Sequence, residues 1–282
     1  MCIRDSNRTE TKAFAWADEY DGLSAPTPAE AAVDAQIVFL CVGNDSDVRS
    51  VTVEAEGVLS TMTAGTLLVD HTTTSKALAE ELHAACNDLG IAFIDAPVSG
   101  GQAGAENGVL TVMAGGEASA FEVMEPVIAA YAKHTQRMGH VGSGQVTKMV
   151  NQLCIAGILG GLSEAFHFAE CAGLDIDEVT RAIQGGAAQS WQMNNRAETM
   201  AQRKYDFGFA IDWMRKDLGF ALDVAQQLGL HLPVATMVDD HYANVQSNGG
   251  GRWDTSGLIE QIRMRTEKTQ AAKTAELSLI HI

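Results

Sequence analysis

The chain of 282 residues carries 19 basic and 36 acidic side chains, a formal net charge of −17, with 46% hydrophobic and 20% charged residues. That much apolar material offsets the entropy of ordering a chain, so a globular fold is expected, as one large domain or two of ordinary size. The charge repels a phosphate backbone and excludes nucleic acid as the main partner, while leaving small anions, whose sites are set by local groups.

The longest apolar run, residues 153–162, is broken by glycines and falls short of the roughly 18 residues a membrane span needs; no membrane association is expected. Cys2, Cys41, Cys86, Cys154 and Cys171 are widely spaced and form no C-x-x-C pair, and the eight histidines show no metal-ligand spacing. Neither a disulfide framework nor a metal site is expected, and a reducing compartment, the cytoplasm, is. No secretory signal pattern opens the chain. Residues 1–6 and about the last six, 277–282, read as short non-native sequence at either end.

In chain order, residues 11–20 have the pattern of a short amphipathic helix, and Pro26, Pro28 and Glu30 open another. The run I-V-F-L-C-V at 37–42 reads as a strand buried on both faces of a parallel sheet. A helix over 48–59, a strand over 66–70, a helix over 75–89 and a strand over 92–95 follow. This alternation predicts right-handed βαβ units in a doubly wound sheet, where ligands sit beyond the carboxyl ends of the strands. D-H-T-T-T at 70–74 and D-A-P-V-S-G-G at 95–101 are such ends. Residues 109–113 add a strand. From Gly144 to about Ala172 runs one helix of roughly 28 residues, about 42 Å at 1.5 Å per residue and too long for a crossover. Only helical periodicity follows, so the boundary falls near Gly142, an α/β domain first and an all-α domain second.

A dinucleotide-binding domain needs a first strand and a G-x-G-x-x-G turn to hold the pyrophosphate. No such motif lies near the start; the sheet is expected to lack that strand. Asn7, Arg8 and Thr9 end the next strand, where an acidic residue would bind a ribose 2′-hydroxyl and Arg with small polar groups would take a 2′-phosphate, which points to NADP. Ser99, Gly100 and Gly101 place a hydroxyl and unobstructed amides where a carboxylate can be held. Lys148, Asn151, Gln152 and Ile155 share one face of the long helix, and a lysine with two amides is costly to bury without a task. Lys216 and Asp217, on a later helix, have by themselves the look of a solvated pair. No G-x-S-x-G elbow points to a hydrolase.

D-A-P-V-S-G-G-x-x-G-A from Asp95 to Ala105, G-x-G-x-x-x-K-x-x-N-Q from Gly142 to Gln152 and K-D-L from Lys216 to Leu218, in this order, resemble the β-hydroxyacid dehydrogenases, the family of 3-hydroxyisobutyrate dehydrogenases and tartronate semialdehyde reductases. The resemblance covers about residues 7–262. It implies a partial NADP-binding Rossmann domain over 1–141, a long interdomain helix, and an all-helical domain over 142–276 that builds a homodimer or homotetramer. It implies a cytoplasmic oxidoreductase that moves a hydride between NADPH, or NADH, and a small carboxylated aldehyde or 3-hydroxy acid.

By motif match Lys148 is the general acid. Ser99, Gly100 and Gly101 hold the substrate carboxylate and Asn151 orients it. Thr73 lies at the nicotinamide ribose, Lys216 at the cofactor, and no metal takes part. Gln152 after Asn151 is more like the tartronate semialdehyde reductases, and Asn151 itself disfavours 6-phosphogluconate dehydrogenases, which carry a His there. Trp191, Gln192, Asn195 and Trp213 are candidates for the substrate pocket. Val42 and Gly43 stand where many members have a Pro. With the glycine-rich loop and first strand absent, the alternative is an inactive remnant that only oligomerises.

Overall fold

A computed structural model of the chain describes residues 3–280, with side chains through residue 272. Of the two ends read as non-native, Met1, Cys2, His281 and Ile282 lie outside the described residues. The chain divides into two compact units, residues 1–148 and 149–282.

The first unit opens with β1 (Arg4–Asp5), α1 (Glu10–Tyr20), β2 (Leu23–Ser24) and α2 (Pro28–Ala32). β1 and β2 pair in parallel as a sheet of their own. Arg4 ties that sheet to the end of α2 by donating to the carbonyls of Glu30, Ala31 and Val33, acceptors that a helix terminus leaves unmet. Then come β3 (Ile37–Leu40), α3 (Asp45–Thr52), β4 (Leu67–Asp70), α4 (Lys76–Asp88), β5 (Ala92–Asp95), β6 (Val98–Ser99), α5 (Gly101–Glu106), β7 (Leu110–Gly115), α6 (Ala118–Ile128) and β8 (Ala132–Gly139). They form a six-stranded sheet in the order β3-β4-β5-β7-β6, with β8 on β7. β3, β4 and β5 are parallel, and β7 runs antiparallel to β5 and β6.

The parallel βαβ alternation is the one expected from the sequence, and the two sheets share no strand pairing. β4 is buried throughout, but β3 is not, and Phe39 is 36% exposed. β3 is the terminal strand of its sheet, so one flank lacks the cover that a central strand receives. The helix expected over 48–59 stops at Thr52, and a separate 3-10 turn covers Val58–Ser60. Between them Gly57 closes on Glu54, and a Cβ there would collide with the Thr52 backbone. The glycine-rich stretch after Ser99 is not a plain connection, since α5 forms within it. One apolar layer unites Val48, Leu68, Leu78 and Leu82, the other Val69, Ile94, Val112, Met124 and Ile128.

α7 (Ser143–Cys171) is the long helix and carries the chain from the first unit into the second. By length and composition alone it could cross a membrane; its glycines and polar residues break the run that would have shown this in the sequence. The second unit continues with α8 (Ile176–Ile183), α9 (Trp191–Ala201), α10 (Ile211–Gln227), α11 (Pro233–Val245) and α12 (Ile259–Ile280). Its core gathers Leu159, Ile211, Met214, Leu218 and Tyr242 in one cluster and Phe166, Met193, Met200 and Ile259 in another.

Within the first unit, the head of α7 is fastened to the end of β5 by one side chain. Asp95 is fully buried and accepts from the Gly142 amide at 2.7 Å and the Gln145 amide at 2.8 Å. These are among the N–H groups that a helix start leaves without partners. Gly115 and Gly144 make the approach possible: a Cβ would lie 2.5 Å from Asp95 Oδ1 at Gly115, and 2.6 Å from the Asp95 carbonyl at Gly144. Burial pushes the Asp95 carboxyl up to about 7, against the pull of those amides and with the Asp70 charge adding to it. A carboxyl raised in the folded state binds more protons than in the unfolded chain between its ordinary pKa near 4 and about 7, so stability falls as pH rises through that window. Asp95→Asn puts an amide NH₂ against a backbone N–H and should be less stable at every pH, by about 1–3 kcal/mol. Its melting temperature between pH 5 and pH 8 should nevertheless change less than that of the parent. Equal slopes in thermal melts across that range would show that Asp95 does not titrate there.

Candidate active site

The carboxyl ends of β3, β4 and β5 meet in a network of polar groups. The Val42 amide donates to Thr72 Oγ1 at 3.0 Å, a bond that a proline at this position could not make. The departure from Pro therefore joins the ends of β3 and β4. The Thr72 amide donates to Asp70 Oδ1 at 2.9 Å. Gln145, fully buried in the first turn of α7, reaches both sides of Thr73. Its Oε1 accepts from the Thr74 amide at 3.0 Å and its Nε2 donates to the Thr72 carbonyl at 2.8 Å.

His71 follows β4. Its Nδ1 lies 2.6 Å from the Ala96 carbonyl and its Nε2 2.8 Å from the Tyr131 hydroxyl, with the ring stacked on Phe39 at 5.6 Å. A carbonyl only accepts, so Nδ1 carries the proton and Nε2 accepts from the tyrosine. Burial lowers the His71 pKa, against the opposing effect of the Ala96 bond, which favours this neutral form. Burial likewise raises the Tyr131 pKa and keeps its hydroxyl protonated. The pair fixes the backbone at Ala96, three residues before Ser99.

Ser99 belongs to β6 and pairs antiparallel with Thr111. Gly100 and Gly101 adopt φ of 133° and 63°, open to glycine and strained for other residues. A Cβ at Gly100 would come within 3.0 Å of Leu110. Both amides therefore sit on backbone that carries no side chain. Lys148, one helical turn beyond Gln145, is 7% exposed.

In the second unit, Asn151 Nδ2 donates to Gln152 Oε1 at 2.8 Å, and Gln152 Nε2 donates to Asp217 Oδ2 at 2.7 Å. Asp217 Oδ1 lies 3.3 Å from Lys216 Nζ, which stands 5.6 Å from the ring centres of both Trp213 and Phe220. Asn151 and Lys216, 65 residues apart by the Gln152–Asp217 separation, are thus linked by one buried relay. The solvated pair expected at Lys216 and Asp217 is not found: Asp217 is 1% exposed, because Gln152 draws its carboxylate inward. Trp213 lies against Lys216, whereas Asn195 is spent on the Trp191 carbonyl at an exposed face.

Asn7, Arg8 and Thr9 lie at the carboxyl end of β1, on the small sheet. The Thr9 amide donates to Asn7 Oδ1 at 2.9 Å, and the Arg8 side chain, 91% exposed, lies 3.8 Å from Asp47. The sequence alone singles out Gln152 but not its bond to Asp217, and it does not single out Gln145 or His71 as organisers of these groups. Gln145 could have been found, since it stands three residues before Lys148 on the same face; the partner of His71, Tyr131, is 60 residues away and leaves no local signal.

Comparison with known proteins bears on the family of the chain. Residues 2–142 match the family model described as the NAD-binding domain of 6-phosphogluconate dehydrogenase. Residues 142–262 match the one described as NAD-binding of NADP-dependent 3-hydroxyisobutyrate dehydrogenase. An uncharacterized oxidoreductase of Shewanella frigidimarina is 57% identical over 91% of this chain and 88% of its own length. The 2-hydroxy-3-oxopropionate reductase of Escherichia coli is 32% identical over 86% of this chain and 83% of its own. The crystal structure of 3-hydroxyisobutyrate dehydrogenase from Salmonella typhimurium superposes with a TM-score of 0.81 at 31% identity, covering 91% of this chain and 90% of that one. With both halves matched by NAD-binding models of related dehydrogenases, and relatives above 30% identity along most of the length, the chain belongs to the β-hydroxyacid dehydrogenase family of NAD(P)-dependent oxidoreductases.

Proposed function

We propose that the chain is an NADPH-dependent reductase of a small carboxylated aldehyde, acting in reverse on the 3-hydroxy acid, in the cytoplasm. The observation that carries this reading is the polar face at the start of α7: Gln145, Lys148 and Gln152 are 0%, 7% and 1% exposed. Burying such groups is unfavourable unless they are satisfied, and a lysine in this setting is suited to proton transfer. The match of residues 142–262 to NADP-dependent 3-hydroxyisobutyrate dehydrogenase, and the 2-hydroxy-3-oxopropionate reductase among the relatives, support the substrate class.

In this reading, Lys148 donates a proton to the substrate carbonyl oxygen as it becomes a hydroxyl. Ser99 and the bare amides of Gly100 and Gly101 hold the carboxylate, with their backbone fixed at its base by His71. Asn151 orients the substrate, itself steadied by Gln152 and Asp217. A nicotinamide cofactor, when bound, supplies or receives the hydride. Support for its phosphorylated form at the ribose comes from Arg8, whose exposed guanidinium makes one ion pair, with Asp47 at 3.8 Å. Asn7 and Thr9 flank it, Thr73 attends the nicotinamide ribose, and Lys216 serves the cofactor. Lys148→Ala should lower kcat at least about a hundredfold, the usual weight of an acid-base group, while leaving NADPH affinity unchanged. Turnover within a few-fold of the parent would remove Lys148 from that role.

The reading includes self-association through α7. Val150, Ile158 and Phe168 are 54%, 38% and 74% exposed, and a Cβ at Gly157 or Gly161 would meet nothing within 4 Å. Spaced by helical turns along one side, they leave an apolar face with small residues that admits a second copy closely. Light scattering should give a dimer or tetramer for the parent and a monomer for the double variant Ile158→Asp, Phe168→Asp. An unchanged mass would exclude this face as the interface.

A further inference from the structure

The turn between β4 and α4 is pinned on both sides of Thr73 by one side chain of α7. Thr72 and Thr74 are 2% and 1% exposed, and among the described residues neither the Thr72 carbonyl nor the Thr74 amide has a backbone partner. Gln145 meets both: its Nε2 donates to the carbonyl and its Oε1 accepts from the amide. Backbone groups buried without partners are costly, so this one side chain replaces two bonds that no strand or helix provides. Thr73, between them, is the residue of the three that is only partly buried.

Gln145 has no freedom of its own. It is 0% exposed, and its backbone amide is tied to Asp95. Turning its side-chain amide over would set NH₂ against the Thr74 N–H and oxygen against the Thr72 carbonyl, so one orientation alone serves. On α7 it stands three residues before Lys148, on the same face of the helix. Within the first unit, the backbone around Thr73 and the turn of α7 that ends in Lys148 are therefore held in one register. Arg8, beside the small sheet, is paired with Asp47 and takes no part in this network.

We propose, on the roles already read for Thr73 and Lys148, that Gln145 is a positioning residue. It holds Thr73 in register with Lys148, so that the nicotinamide end of the cofactor meets a fixed partner beside the acid. The adenosine end, read at Arg8, is indifferent to it. Gln145 acts through the backbone on either side of Thr73. Losing its two bonds frees that turn, and the nicotinamide end then binds at the entropic cost of ordering it.

Two ligands separate this role from a merely structural one. NADPH engages both ends, whereas adenosine 2′,5′-bisphosphate offers the adenosine end alone. Gln145→Met keeps the length of the side chain and removes both bonds. It should weaken NADPH binding, followed by cofactor fluorescence, at least about tenfold, on the order of what two such bonds contribute. Its affinity for adenosine 2′,5′-bisphosphate, measured by calorimetry, should stay that of the parent. An NADPH affinity unchanged in the variant, or an equal loss for both ligands, overturns the proposal. Should Gln145→Met fail to fold, Gln145→Glu, equal in shape, keeps the bond from the Thr74 amide and loses the one to the Thr72 carbonyl, and the same split between the two ligands decides. Failure of the parent itself to bind NADPH would overturn the reductase reading along with this role; an unchanged variant overturns the role alone.

Discussion

The carboxylate of Asp95 is the point on which the first unit's polar groups depend. It ends β5, accepts two amides at the head of α7, and has no solvent to share its charge. Its burial is tolerable because those amides have no helical acceptors of their own. Gly115 and Gly144 are the consequence, since any side chain there would enter the space that the carboxylate and its partners occupy. From this junction Gln145 reaches across to Thr72 and Thr74. The first turn of α7, with Lys148 one turn further on, is thereby set against the ends of the parallel strands by hydrogen bonds between side chains and backbone rather than by apolar packing alone.

Much of this is written locally. The runs at β4 and β5 and the length of α7 follow from apolar periodicity, and the left-handed conformations at Gly100 and Gly101 explain a glycine pair that sequence alone could only mark as permissive. What was not legible depends on long-range register. β6 and β8 are short or polar strands whose pairing with β7 comes from the chain's return, not from their own alternation. Phe39 was expected inside because its run is apolar; it is half-exposed because β3 is the last strand on its side. The burial of Asp217 beside Lys216 leaves no local signal because its partner Gln152 lies on another helix.

The helical unit repeats the same logic with different chemistry. The Asn151, Gln152, Asp217 and Lys216 relay keeps amides and charges satisfied in a setting that would otherwise expel them. At the far end of the same helix, Arg263 fixes Glu170, and Glu170 in turn orients His167. In both places a buried charge is useful for what it holds still. A carboxylate clamped on one side decides which nitrogen of a neighbouring ring, or which amide of a neighbouring chain, is left facing outward.

The central claim, that these groups serve a nicotinamide cofactor with a phosphate at Arg8, is tested most directly by titrating the purified chain with NADPH and then NADH while following cofactor fluorescence. The account predicts saturable binding of both with NADPH the tighter. No binding to either would contradict it, and would leave a chain of this family that assembles without acting as an oxidoreductase.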